Sequence, residues 1–251
     1  MQAFLLSRGK MASMEATQES LQEHVEKGTQ PKRVQCFIDG YNLFHAIDEA
    51  GNKSLHWVDL KSLCQRYLPK NASIENVFWF SAKPSHLSRT INDNYDHYLN
   101  ALLECGVDVI GGRFKRKNAK CEVDKGCRGA FFKHEEKESD VNLAISLVSS
   151  ACNDEFDIAI VITADSDLCP PMKYVKDKFP EKELWLLAPP GRIKRANDLC
   201  VLSSRNFEIN ANALRASSMR ETYSKAGVLV AKRPAEWTFV ANQGRTRRSS
   251  R

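Results

Sequence analysis

Four aspartates stand where an apolar run of this chain ends or an amphipathic one begins. Asp39 closes Val34-Gln35-Cys36-Phe37-Ile38 and opens Asp39-Gly40-Tyr41-Asn42. Asp165 and Asp167 follow the apolar run Ile158-Ala159-Ile160-Val161-Ile162-Thr163, and Asp140 opens Val141-Asn142-Leu143-Ala144-Ile145. In an open parallel sheet covered on both faces, ligands bind outside the carboxyl ends of the strands. Carboxylates gathered there from distant segments make a hard, oxygen-rich site suited to Mg²⁺ or Mn²⁺. Such a cation beside a phosphodiester is a nuclease design. Each segment alone has a plainer reading. Asp-Gly is a common turn dipeptide, and Asp140, Asp165 or Asp167 would serve as helix caps or first-turn acids. Two acids closing one apolar strand still repel each other, and a cation relieves that repulsion.

The elements that must position these acids alternate. Residues 34–38, 74–80, 107–110, 158–163 and 184–187 read as strands, and residues 57–68, 87–105 and 140–152 as helices. Gly106 stops the second helix. Ser139 stands as N-cap of the third, whose Val141, Ala144, Ile145 and Val148 follow helical spacing. Pro170-Pro171 opens a further helix, where proline costs little. Buried strands alternating with helices predict an α/β three-layer sandwich around a mostly parallel central sheet. Residues 1–32 read as a polar appendage, 33–210 as the main domain, and 211–251 as an extension ending in a basic disordered tail. Met11 and Met14 follow Met1, so translation could start later.

The three acidic segments together resemble the NYN domain, a family of PIN-like nucleases, and a bacterial branch of it. Phe37-Ile38-Asp39-Gly40-Tyr41-Asn42-Leu43-Phe44 is similar to its opening motif. Glu136-Lys137-Glu138-Ser139-Asp140-Val141-Asn142 resembles the middle one. Val161-Ile162-Thr163-Ala164-Asp165-Ser166-Asp167-Leu168 resembles the third, with Ala164 in place of the usual glycine. Pro189-Pro190-Gly191-Arg192 and the stretch 227–237 look like features of that bacterial branch. The resemblance implies a PIN-like Rossmannoid fold and metal-dependent endoribonuclease activity. Asp39, Asp140, Asp165 and Asp167 would hold Mg²⁺ or Mn²⁺, while Asn42 and Ser166 would orient ligands or contact phosphate. A catalytically silent module of the same fold, holding RNA or a protein, is the alternative.

Basic residues crowd one segment, including Arg113, Lys115, Arg116 and Lys117, against a net charge of only +6. It reads as a loop or twisted hairpin whose charges would hold an RNA backbone, with Phe131 and Phe132 buried beneath it. Arg192, Lys194 and Arg195 offer another path. Cys121 and Cys127, with His134 downstream, suggest either two reduced thiols or a small structural Zn²⁺ knuckle. Their five-residue spacing lies outside the usual two to four, and no fourth ligand presents itself. His45, His56, His86 and His97 are scattered, which argues against a histidine acid–base pair. No Gly-rich loop with its lysine is present, which argues against nucleotide hydrolysis. A phosphatase of the haloacid-dehalogenase type would need a second acid two residues after Asp39, and Asn42 is not so placed. No apolar run reaches the roughly 20 residues of a membrane span, and 3–6 is too short for a secretory core. The expected setting is therefore the cytoplasm, with RNA as partner.

Overall fold

Strands apolar on both faces must be covered from both sides. In the computed structural model, which describes residues 30–120 and 130–238, they are. One sheet contains β1 (Lys32–Asp39), β2 (Ala72–Ala82), β3 (Asp108–Lys120), β4 (Ala130–Lys137), β5 (Ile158–Ile162), β6 (Glu183–Ala188) and β7 (Arg205–Glu208). Their order is β4-β3-β2-β1-β5-β6-β7, and every pairing is parallel except β3 with β4. The helices are α1 (Gly40–Glu49), α2 (Leu60–Gln65), α3 (Arg89–Glu104), α4 (Ser139–Cys152), α5 (Cys169–Lys178), α6 (Asn197–Leu202) and α7 (Ala211–Ala216).

Strand alternation divides the core in two. Val34, Cys36 and Ile38 of β1 join Ile158, Ile160 and Ile162 of β5 under α1, α2, α3 and α7. Phe37, Ala159 and Val161 face the opposite way, under α4, α5 and α6. A separate hairpin of β8 (Thr222–Lys225) and β9 (Val228–Lys232) closes the first layer with Tyr223, Ala231 and the buried Trp237. The chain runs outward from β1 to β4, then α4 returns it to β5 beside β1. The strand order therefore reverses between β1 and β5, which makes their carboxyl ends the switch point of the sheet.

The basic excursion takes the second of its two expected forms: β3 and β4 pair antiparallel, with Arg113 opposite Lys137 and Lys117 opposite Lys133. Other local expectations change. The predicted helix over 57–68 shortens to α2, because Asp59 accepts from the Ser62 N–H and sets its start. Helix α4 buries Leu143, Leu147, Ser150 and Ala151, whereas Val141 and Ile145 are 60% and 62% exposed. Apolar residues surround much of this helix, so spacing alone did not select the stripe that the sheet covers. Ser139 is the first helical residue and not its cap. Glu138 takes that place in a left-handed conformation, φ 79°, with no side-chain cap bond. Residues 1–29, 121–129 and 239–251, with the expected appendage, Cys121, Cys127 and the basic tail, lie outside the described residues. Among the described residues no helix is long and apolar enough to cross a membrane.

Candidate active site

The last residue of β1 is the centre of the site. Asp39 is only 4% exposed, and both its oxygens are engaged. Oδ1 accepts the Asn42 N–H at 2.9 Å and so caps α1, and Oδ2 accepts from Thr163 Oγ1 at 2.9 Å. Burial drives its carboxyl up to about 7 despite those two bonds, and the charges of Asp140 and Glu136 push the same way. Gly40 is required here by close approach. A Cβ on it would lie 2.5 Å from the Trp79 indole carbons and 2.8 Å from Ser81 Cβ. The turn reading of Asp39-Gly40 does not show this role, which is to let the start of α1 lie against Trp79.

Asp140 lies in the first turn of α4, and Asp165 precedes a short 3₁₀ turn, Ser166–Leu168, which it caps by accepting the Asp167 N–H at 2.9 Å. Thr163 links the two strand ends, since its hydroxyl oxygen also accepts the Asp165 N–H at 3.0 Å. Burial, then Asp165 and Asp167, raise the Asp140 carboxyl. Asp140 thus stands between Asp39, whose carboxyl it raises, and the acids after β5 that raise its own. Sequence reasoning quoted Glu136 only as part of a motif, yet it belongs to this group. Its Oε1 accepts from the Ala82 N–H at 2.7 Å and from Ser139 Oγ at 2.5 Å, while buried Oε2 has no partner. Burial raises its carboxyl, and Asp140 adds to the effect. Its position at the end of a charged hairpin strand hid this role.

The donor set suits a divalent cation: the oxygens are hard, the carboxylates raise one another, and one buried oxygen is unpartnered. As placed, however, no three His, Cys, Asp or Glu side chains among the described residues stand closely enough to hold a metal ion.

The expected phosphate contacts divide into two groups. Asn42 reaches Asp39 through its backbone, while its Oδ1 accepts from Arg192 Nη1 at 3.0 Å. Arg192 also binds Glu49 at 2.8 Å. Arg192 and Arg195 line a cavity of about 310 Å³ with Asn42, Ala164, Asp165 and Ser166, beside the acids. On the hairpin, Arg113 pairs with Glu138 at 2.7 Å, Lys117 with Glu135 at 3.4 Å, and Arg116 lies over the Phe132 ring at 3.3 Å. Lys115 is exposed. Phe131 and Phe132, expected beneath the loop, are 52% and 56% exposed, because the hairpin projects beyond the layers that would cover them. His134 stacks on His86, 4.1 Å between centroids and 9° between planes. Histidines scattered in sequence therefore do meet: His45, His86 and His134 line one cavity of about 420 Å³ with Phe44, Trp79 and Trp237.

A parallel sheet with helices on both faces and acids at its switch point defines a PIN-like α/β protein with an acidic candidate active site. The NYN domain model matches residues 33–220, and the chain belongs to that family. It is also similar to a protein of Pseudomonas putida named 6-hydroxy-3-succinoylpyridine 3-monooxygenase HspA. The two are 25% identical, over 76% of this chain and 71% of that protein. A crystal structure of a protein of unknown function from Vibrio parahaemolyticus shares 12% identity, with a TM-score of 0.46, over 73% of this chain and 96% of that one.

Proposed function

We propose that this protein is a metal-dependent endoribonuclease. The observation that carries the reading is Asp39, a buried carboxylate raised to about 7 by its surroundings and by the acids grouped with it. Holding a buried carboxylate ionised beside other acids is costly unless a cation offsets the charge. Asp39, Asp140, Asp165 and Asp167 would hold Mg²⁺ or Mn²⁺, with Glu136 beside them. A divalent cation bound there supplies Lewis-acid stabilisation of phosphodiester charge and activation of water. The chain's own part is positional. Thr163 and the Asn42 N–H fix the Asp39 carboxylate, and Arg192 and Arg195 face Asp165 and Ser166 where an RNA backbone phosphate would pass. The hairpin cations add contacts further out, since exposed ion pairs hold their partners only weakly.

The test is incubation of the purified protein with single-stranded and structured RNAs in Mn²⁺, Mg²⁺ or chelator. Cleavage should occur only with a divalent cation, and Asp167→Asn should lower it at least about a hundredfold. Full cleavage in chelator would refute the metal reading. RNA binding without cleavage in any metal would make the chain a binding module. The similar protein from P. putida is named for another reaction class, so turnover of RNA itself has to be measured.

A further inference from the structure

The larger cavity lies across Gly40 from Asp39, and the acidic site does not use it. Its walls come from several elements. Helix α1 gives Tyr41 and Phe44, the end of β2 gives Trp79, helix α3 gives Ile91 and Tyr95, and the hairpin gives Phe114 and His134. Trp237 and Glu236 close it from the C-terminal side. At about 420 Å³ it falls in the range of small-molecule sites, which are mostly apolar with a few polar groups that fix orientation.

Two features set it apart from a gap in the packing. First, its wall is aromatic. His86 and His134 lie parallel at 4.1 Å, and Phe114 leans on His86 at 4.6 Å. Tyr41 stands against His45 at 4.1 Å. Second, two buried polar atoms behind that wall complete no hydrogen bond: the indole Nε1 of Trp79 and the hydroxyl of Tyr95. Trp79 is only 2% exposed. Ser81 and Trp79 lie near enough to the Tyr95 hydroxyl to oppose the effect of burial on it, but neither is placed to complete the bond. An unpartnered buried polar atom costs on the order of 1–3 kcal/mol, so the packing behind this wall is kept at a cost.

We propose that this cavity binds a planar heteroaromatic ring, stacked on the aromatic wall. The ring could be a base of a polynucleotide substrate or a free heterocycle of pyridine type. The first source rests on the ribonuclease reading. It would seat one base across Gly40 from the acids, because Tyr41 and Ala82 line the cavity while Asp39 precedes Gly40 and the Ala82 N–H holds Glu136. The second source does not depend on that reading.

The experiment is calorimetric titration of the full chain in chelator, so that no divalent cation contributes. The ligands are the four ribonucleoside 5′-monophosphates, nicotinate and a hydroxypyridine, with ribose 5-phosphate as the ringless control. At least one ring should bind saturably and ribose 5-phosphate should not. Ile91→Trp, which fills the cavity from an exposed position, should weaken that binding about tenfold or more, as should Phe114→Ala. Binding of nucleotides alone would assign the site to a base, and binding of the pyridines alone to a free heterocycle. Absence of saturation by every ring at millimolar concentration would overturn the proposal, as would binding unchanged by both Ile91→Trp and Phe114→Ala. Cleavage of RNA is scored separately. Rings that bind without cleavage leave this site standing, and cleavage without ring binding leaves the nuclease standing.

Discussion

Replacing Asp39 with asparagine should make the protein more stable at neutral and alkaline pH, with a gain that depends on pH. A carboxyl raised from 3.8 to about 7 binds its proton more tightly in the folded protein than in the unfolded chain, by roughly 4 kcal/mol. The raised value fixes the sign. The stability this proton contributes is fully present below about pH 4, where both states carry it, and is lost as pH rises through about 7. Above that, the folded wild type holds an ionised buried carboxylate that asparagine avoids. The substitution also weakens charge-assisted bonds from the Asn42 N–H and Thr163 Oγ1, at a cost of about 1–2 kcal/mol. The net gain above pH 8 should be about 2–3 kcal/mol, which for a domain of this size raises Tm by roughly 4–12 °C. Denaturant titrations of both proteins in chelator from pH 4 to 8.5 measure it. Carboxylates held low elsewhere, such as Asp157 beside Arg33, are common to both proteins and cancel in the difference. The difference should be near zero or slightly unfavourable at pH 4 and grow through pH 7. A difference that is flat with pH, or a variant less stable than wild type at pH 8, would refute the argument that Asp39 is strained by burial.

Three further outcomes test the surrounding structure. Gly40→Ala should destabilise by about 1–3 kcal/mol in denaturant titration, since its Cβ meets the fixed Trp79 indole; an unchanged midpoint would mean that the contact relaxes freely. Leu143→Ala should cost about 2–5 kcal/mol and Ile145→Ala about 0.5 kcal/mol or less, and the reverse order would mean that α4 presents its other stripe to the sheet. Arg195→Ala should weaken RNA binding and reduce the log–log salt slope by about one. If neutralising Lys115, Arg116 and Lys117 together flattens that slope and Arg195→Ala does not, the RNA follows the hairpin instead.

How much of this could be read from the chain depended on what each residue type encodes locally. The strands were legible because Val34 to Ile38 and Ile158 to Thr163 are apolar on both faces, which only a covered parallel sheet accommodates. The positions of the aspartates at strand ends followed from the same runs. What stayed hidden depends on which elements meet. The buried stripe of α4 was invisible because Val141 and Ile145 are as apolar as Leu143 and Leu147. Glu136 and His134 sit in a hairpin whose register puts one beside Asp140 and the other on His86, and no local period encodes that. Gly40 looked like a turn residue because a sequence does not show the indole lying against it.

The capping and active-site readings of the aspartates turn out not to compete. Asp39 caps α1 and Asp165 caps the 3₁₀ turn, so the plain reading of both holds. The capping bonds also orient the carboxylates. A side chain that accepts an N–H from the turn after its strand is fixed in direction, and Thr163 ties the two strand ends together through Asp39 Oδ2 and the Asp165 N–H. If orientation is the purpose of these bonds, Thr163 is a positioning residue. Thr163→Val keeps the shape of this fully buried side chain but removes the donor to Asp39 and the acceptor for Asp165. Loss of the donor leaves one Asp39 oxygen bare, so the carboxyl should rise further and the pH at which cleavage begins should shift upward with it. Asp39→Asn should abolish cleavage at every pH, whereas Thr163→Val should recover part of its rate as pH is raised. A Thr163→Val enzyme with a uniformly lower rate and an unshifted pH profile would show that the threonine only holds the fold together.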